Sequence, residues 1–312
     1  MSRKKKRNST RPANGIQSDV KVVASSPETK RIVAVLGDID DEAHTAARHS
    51  WPDHPSREYD FDAAILTRGI NALKGIRILV ENGHWELAQG VLRQLFELVV
   101  NIEYLHHQED RGEAMRRYVK FGVLEKLEAR RDEMRYDAQA GHPVNLAKLD
   151  ALEKYLETSE FDEFRNKKGD FITSWASRKI WEMCEKSPLK MRQHQYKLLY
   201  SAWSEHAHAT PGALVDAILR SSGPGWVEEV MADDEANIQE CVRMGVALFV
   251  ELRMYLPCIE PIVPEMANGW FHRVLPSEIR GGEHGASVWG PVAQVNINAS
   301  GLDQVSVSES GD

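Results

Sequence analysis

The chain has 312 residues, 39 of them basic and 47 acidic, for a net charge of -8, with 42% hydrophobic and 28% charged residues. Those proportions supply enough apolar side chain for a packed core and exclude wholesale disorder. The negative balance excludes a generally basic protein that coats nucleic acid, and the length suits two domains or one domain with extensions.

Charge and proline divide the chain. Residues 1–31 hold nine basic residues against two acids, and residues 257–312 hold two against seven. Only Pro143, Pro188, Pro211 and Pro224 of the 13 prolines fall between residues 56 and 256, so the body can run as long helices while the flanks are broken. The expected organisation is a basic leader over 1–25, a helical domain over 26–256, and a proline-rich, weakly structured tail over 257–312.

In chain order, Ser26-Pro27-Glu28 has the form of an N-cap with proline at the first helical position, which opens a helix to about Arg48. The run Ile32–Leu36 also fits a buried strand, since periodicity does not decide over so few residues. Apolar residues recur at helical spacing from Tyr59 to Asn82, ending at Gly83. A second body helix is expected from about Trp85 to His107 and a third from about Gly112 to Gln139, stopped by Gly141-His142-Pro143. Further helices are expected over Leu146–Glu157, Arg178–Lys186, Leu189–His208, Gly212–Arg220 and Asp233–Leu256. Residues 291–307 alternate weakly and fit either a terminal strand or an unfolded tail. The fold class is all-α, a single multi-helix, bundle-like domain with flexible N- and C-terminal extensions.

Cys184, Cys241 and Cys258 are odd in number and lack any Cys-x-x-Cys spacing, which suits a reducing cytosol rather than a disulfide framework or a zinc site. No apolar stretch follows the polar N-terminus, so no signal peptide is expected. The apolar runs Leu95–Leu105 and Val246–Leu256 are interrupted by Glu97, Asn101 and Glu103, and by Glu251 and Arg253. Both fall short of the roughly 20 apolar residues that span a bilayer. A cytoplasmic protein with no membrane contact is the expectation.

Two segments carry candidate chemistry. On the helix from Trp85, Arg93, Glu97 and Asn101 follow one another at i,i+4 spacing, opposite a broad apolar face. This stripe reads either as a solvated face with an ordinary ion pair or as the wall of a cleft. The segment from Tyr196 to His208 places Tyr196, Leu199, Tyr200 and Trp203 on one helical face and His194, Ser201, Glu205 and His208 on another. His206 and His208 lie roughly 160° apart on a regular helix, too far to share a metal ion from one helix. They read as capping and packed histidines, or as a general acid/base or metal ligand working with Arg93 and Glu97.

The run Arg3-Lys4-Lys5-Lys6-Arg7 has the form of a nucleic-acid arm, an import signal or a solubilising tail, without the interleaved aromatics of a single-strand binder. Ile172–Arg178, with Trp181 close by, reads as a loop in which Ser174 or Ser177 caps the next helix. His106-His107 reads as a partner of a helix C-terminal dipole. No P-loop, GxGxxG after a strand, GxSxG, HExxH or EF-hand loop is present.

The order of these segments resembles a family. Leu92-Arg93-Gln94-Leu95-Phe96-Glu97, then Arg116-Arg117-Tyr118, then Trp175-Ala176-Ser177, and last the Tyr-x3-Tyr-Ser-x2-Ser-x-His run from Tyr196 to His206 are similar to the bacterial helical proteins known as domain of unknown function 5677, over about residues 58–256. The resemblance implies an all-helical fold and points to Arg93, Glu97, Tyr200, Ser204 and His206. Where that family overlaps helical HEPN-type nucleases, Arg-x4–6-His on one helix is expected. Arg77-x6-His84 has this spacing, but Gly83 breaks the helix between them.

Three functional readings follow. The first is an interaction or binding module, in stress or phage-defence settings. The second is a hydrolase acting on RNA or a nucleotide, with His206 as acid/base, Arg93 holding phosphate and Glu97 orienting Arg93, and with Tyr200, Ser204 and His208 as secondary candidates. The third uses a metal held by Glu97 with His206 or His208. Nucleic acid bound through Arg3, Lys4, Lys5, Lys6 and Arg7, and a second copy of the chain, are the partners considered. The cofactor is left unknown.

Overall fold

A computed structural model describes residues 26–52, 56–202 and 226–275. Ser26 caps the first helix, α1 (Pro27–His49), its hydroxyl accepting from the Thr29 N–H at 3.1 Å, with proline at the first helical position. Ile32, Val35 and Leu36 are buried within this helix, which settles the strand alternative for Ile32–Leu36 in favour of helix. Ser56 caps α2 (Arg57–Glu81) in the same way, accepting from the Tyr59 N–H. Gly83, at φ 76°, turns the chain into α3 (Trp85–His106), a conformation that suits a residue without a side chain. His84 therefore stands outside α2, and Arg77 is tied to Glu81 at 2.8 Å, so the two do not share a helix.

The long α4 (Arg111–Gln139) opens at Asp110, which accepts from the Glu113 N–H, and ends before Gly141 at φ 78°. It turns back into α5 (Leu146–Leu156) and a 3-10 turn over Ser159–Phe164. A loop leads to α6 (Ile180–Lys186), then α7 (Met191–Gln195), which runs directly into a π-helical segment, Tyr196–Ala202. The helix expected over Leu189–His208 is thus split by a change of helix type. The next helices among the described residues are α8 (Trp226–Met254) and α9 (Pro264–Val274). Among the described residues there is no strand, only an isolated bridge between Arg165 and Phe171. The all-α class holds.

The core lies where α1, α2, α3 and α8 pack together. Ile76, Leu92, Phe96, Val99, Val242, Phe249 and Leu252 are fully buried there. Each such side chain contributes about 1.5–3 kcal/mol relative to exposure, before the entropy of ordering the chain. Two glycines set how closely the helices approach. A Cβ at Gly69 on α2 would stand 2.7 Å from a Leu252 methyl of α8, and one at Gly245 of α8 would stand 3.4 Å from Ile76 of α2.

One boundary drawn from sequence needs correction. The segment beyond residue 257 contains α9, whose Trp270 and Val274 are buried against the core, while Arg273 pairs with Asp38 of α1. The high proline content hid it, because Pro264 stands at the helix start, where proline is compatible with helix.

Candidate functional site

The polar stripe of α3 is the starting point, because its opposite face is fixed in the core by Leu92, Leu95, Phe96 and Val99. That packing turns Arg93, Glu97, Asn101 and Tyr104 toward α4, the loop before α6, and the π segment. All four are partly buried. Glu97 and Asn101 of this stripe line a cleft.

Arg93 Nε lies 3.4 Å from Glu97 Oε1, and its guanidinium lies 3.9 Å over the Tyr200 ring. Tyr200 in turn stacks on Tyr196, with ring centroids 5.0 Å apart and planes inclined by 17°. Four residues apart on the π segment, the two rings lie on one side of it, a spacing that an α-helix would also bring together. Cation, ring and ring therefore form a layered array beside the Glu97 carboxylate.

Asn101 holds the next wall. Its Nδ2 donates to the Glu97 carbonyl at 2.7 Å, and its Oδ1 accepts from the Trp175 indole N–H at 2.7 Å. Trp175 is buried edge-on between Tyr104 and Tyr118, and its carbonyl accepts from Arg117 Nε of α4 at 2.8 Å. The Trp-Ser loop is thus fastened to both α3 and α4.

Neither Ser174 nor Ser177 caps α6. The N-cap is Lys179, whose backbone N–H donates to Glu182, and Ser177 instead takes a left-handed conformation at φ 54°. Arg178 donates through Nε to the Tyr104 hydroxyl at 3.0 Å.

Between these elements lies a cleft of about 550 Å³. Its walls are Tyr118, Phe121, Trp175, Trp181, Tyr196 and Tyr200, with Glu97, Asn101, Glu125, Arg178 and Lys179 supplying polar groups. Burial raises the Tyr118 and Tyr196 hydroxyl pKa values, so both stay neutral donors. Desolvation, followed by the charge of Glu128, raises the Glu125 carboxyl pKa. Arg178 and Lys179 both line the cleft and form no ion pair among the described residues. A second cleft of about 660 Å³ adjoins the first at Phe121, Glu125 and Thr173, but its arginines are engaged: Arg135 with Glu153, Arg131 with Glu128 and Asp132, and Arg165 with two backbone carbonyls.

Of the residues singled out from sequence, Arg93, Glu97 and Tyr200 come together in one array. Ser204, His206 and His208 lie outside the described residues, as does the run from Arg3 to Arg7. Among the described residues no group of three histidine, cysteine or acidic side chains is arranged to hold a metal ion, and no helix is long and apolar enough to cross a membrane.

Sequence reading missed a buried charge cluster among α3, α7 and α8. Arg192 of α7 is fully buried and donates to Glu103 of α3 at 2.7 Å and Glu251 of α8 at 2.6 Å. Gln195 bridges Arg192 and Glu251, while Ser187 and Tyr255 donate to Glu103. The two carboxylates outweigh the cost of burying the guanidinium and keep it charged. The signal was present in the acids that interrupt two apolar runs, Glu103 and Glu251.

Residues 63–225, just over half of the chain, match the family described as "Family of unknown function (DUF5677)". Comparison with curated proteins and with solved structures gives no match. The stripe of α3, the Trp-Ser loop and the π segment all fall within the matched residues, and the chain belongs to the DUF5677 family.

Proposed function

We propose that this chain is a binding module, and that its ligand is a small flat ring carrying a negative charge, of the nucleotide class, held in the cleft between α3, α4 and the Trp-Ser loop. The observation that carries the reading is that Glu97 and Asn101 of the α3 stripe line a cleft walled mainly by aromatic rings. Such walls stack on a planar ring, and a few polar groups then fix its orientation. Arg178 and Lys179, adjacent and without acidic partners among the described residues, suit a phosphate at the mouth.

The hydrolytic alternative gives Arg93 the phosphate and His206 the proton. Arg93 already directs Nε to Glu97 and one face to Tyr200, so the phosphate falls more naturally to the mouth than to Arg93. A cytoplasmic location goes with this proposal, since Cys184 and Cys241 are free and buried, Cys184 with its thiol pKa pushed up to about 12 by desolvation.

The test is tryptophan fluorescence of the full chain titrated with AMP, GMP, CMP and UMP, since Trp175 and Trp181 line the cleft. Saturable quenching is expected, weakened at least roughly tenfold in the Arg178→Ala/Lys179→Ala double variant. Absence of saturable quenching by all four at about 1 mM would overturn the reading.

A further inference from the structure

We infer that Glu97 selects the ring by its hydrogen-bonding edge, so that the cleft prefers a guanine-type base, with two adjacent N–H donors, over an adenine-type base. The inference rests on the binding reading above and assigns the base that the cleft takes.

Glu97 is the carboxylate on the inner wall, flanked on one side by the Tyr196–Tyr200 stack and on the other by the loop that carries Trp175. An ionised carboxylate only accepts hydrogen bonds, and its two oxygens match two parallel N–H donors in one plane. The guanine edge presents N1–H beside the 2-amino group. The adenine edge presents N1 as an acceptor, which would face the carboxylate with like polarity. The protein supplies an internal precedent for this geometry: the flat Arg93 guanidinium lies 3.9 Å over Tyr200 while pointing Nε at Glu97. A planar group with N–H donors, stacked on a tyrosine and directed at Glu97, is what the site already holds on one side.

A guanidinium ligand, such as an arginine side chain of a peptide, also offers paired N–H donors. Charge argues against it. Arg178 and Lys179 offset Glu97 and Glu125 in the lining, and Arg93 pairs with Glu97 from beside it, so a cationic ligand finds no net negative charge there, whereas a neutral base carrying a phosphate can use the two lining cations. Asn101 does not compete for the edge, because its oxygen and nitrogen are both engaged with Trp175 and the Glu97 backbone.

The experiment is calorimetric titration of the full chain with GMP, inosine monophosphate and AMP. Inosine monophosphate keeps N1–H and lacks the 2-amino group, so the expected order of affinity is GMP, then inosine monophosphate, then AMP, with roughly tenfold or more between the first and last. Glu97→Gln, checked for retained helicity by circular dichroism, should reduce that ratio to within about threefold, because an amide offers one acceptor and one donor. AMP binding as tightly as GMP in the parent protein would overturn the edge assignment while leaving the cleft reading intact. A GMP preference unchanged in Glu97→Gln would also overturn it. Absence of binding by all three nucleotides would reject the cleft reading itself, and binding of free arginine in preference to GMP would replace the base with a guanidinium.

Discussion

The Trp175 indole N–H donates to the Asn101 side-chain oxygen at 2.7 Å, joining residues 74 positions apart in the chain. This bond makes the Trp-Ser loop a wall of the cleft rather than a free connection. Asn101→Leu leaves the buried indole N–H without an acceptor, at a cost of about 1–3 kcal/mol. Chemical denaturation should show that loss, and an unchanged midpoint would show that Arg117, Arg178 and the ring contacts of Trp175 hold the loop without this bond.

Arg192→Met leaves Glu103 and Glu251 buried without their shared guanidinium and is expected to cost about 3–5 kcal/mol. Adding Glu103→Leu and Glu251→Leu should recover most of it, because a fully apolar replacement removes the unpaired charge together with the pair. Thermal unfolding of the single and triple variants decides the point: a triple variant no more stable than the single one would mean that the hydrogen-bonded cluster, not the charge balance, holds α7 to α3 and α8.

His106 shows how burial can overrule a helix dipole. It occupies the last turn of α3, where a protonated imidazole is favoured, yet desolvation, with His107 and Arg111 adding like charge, lowers its pKa below 6.5. Asp62 opposes the shift in part. The folded protein therefore takes up this proton less readily than the unfolded chain does. Its contribution to stability is complete above about pH 6.5 and is lost as pH falls from there through the lowered folded value. His106→Leu should flatten the decline in melting temperature between about pH 7 and pH 5, and an identical decline in the variant would assign the acid sensitivity elsewhere.

Gly69→Ala should lower stability by about 1–3 kcal/mol, since the new methyl would press on Leu252 and Phe249 across the α2–α8 contact. Equal melting temperatures would mean that α8 can shift outward without loss.

Helix positions were legible because each depends on local rules. Ser26-Pro27 announced α1, and Gly83 and Gly141 announced breaks, from their own chemistry. Arg93 and Glu97 were legible as a pair because i,i+4 spacing is a property of one helix. Their environment was not, because Trp175 and Tyr200 reach them from elements far along the chain, and no spacing rule records that distance. The Arg192 cluster was hidden for the same reason: its three charges come from three helices, and each alone looks like an interruption in an apolar run. The π segment was read as α-helix because its Tyr-x3-Tyr spacing suits both.

That last ambiguity makes the cleft depend on residue count more than on residue identity. Lys197 is exposed, and Lys197→Ala should leave the tyrosine stack in place. Deleting Lys197 would instead turn Tyr200 by one residue's rotation relative to Tyr196 and carry it off the Arg93 guanidinium. The segment therefore works as a length gauge: a lineage or library that trims one residue there loses the stacked wall, whatever side chains it keeps.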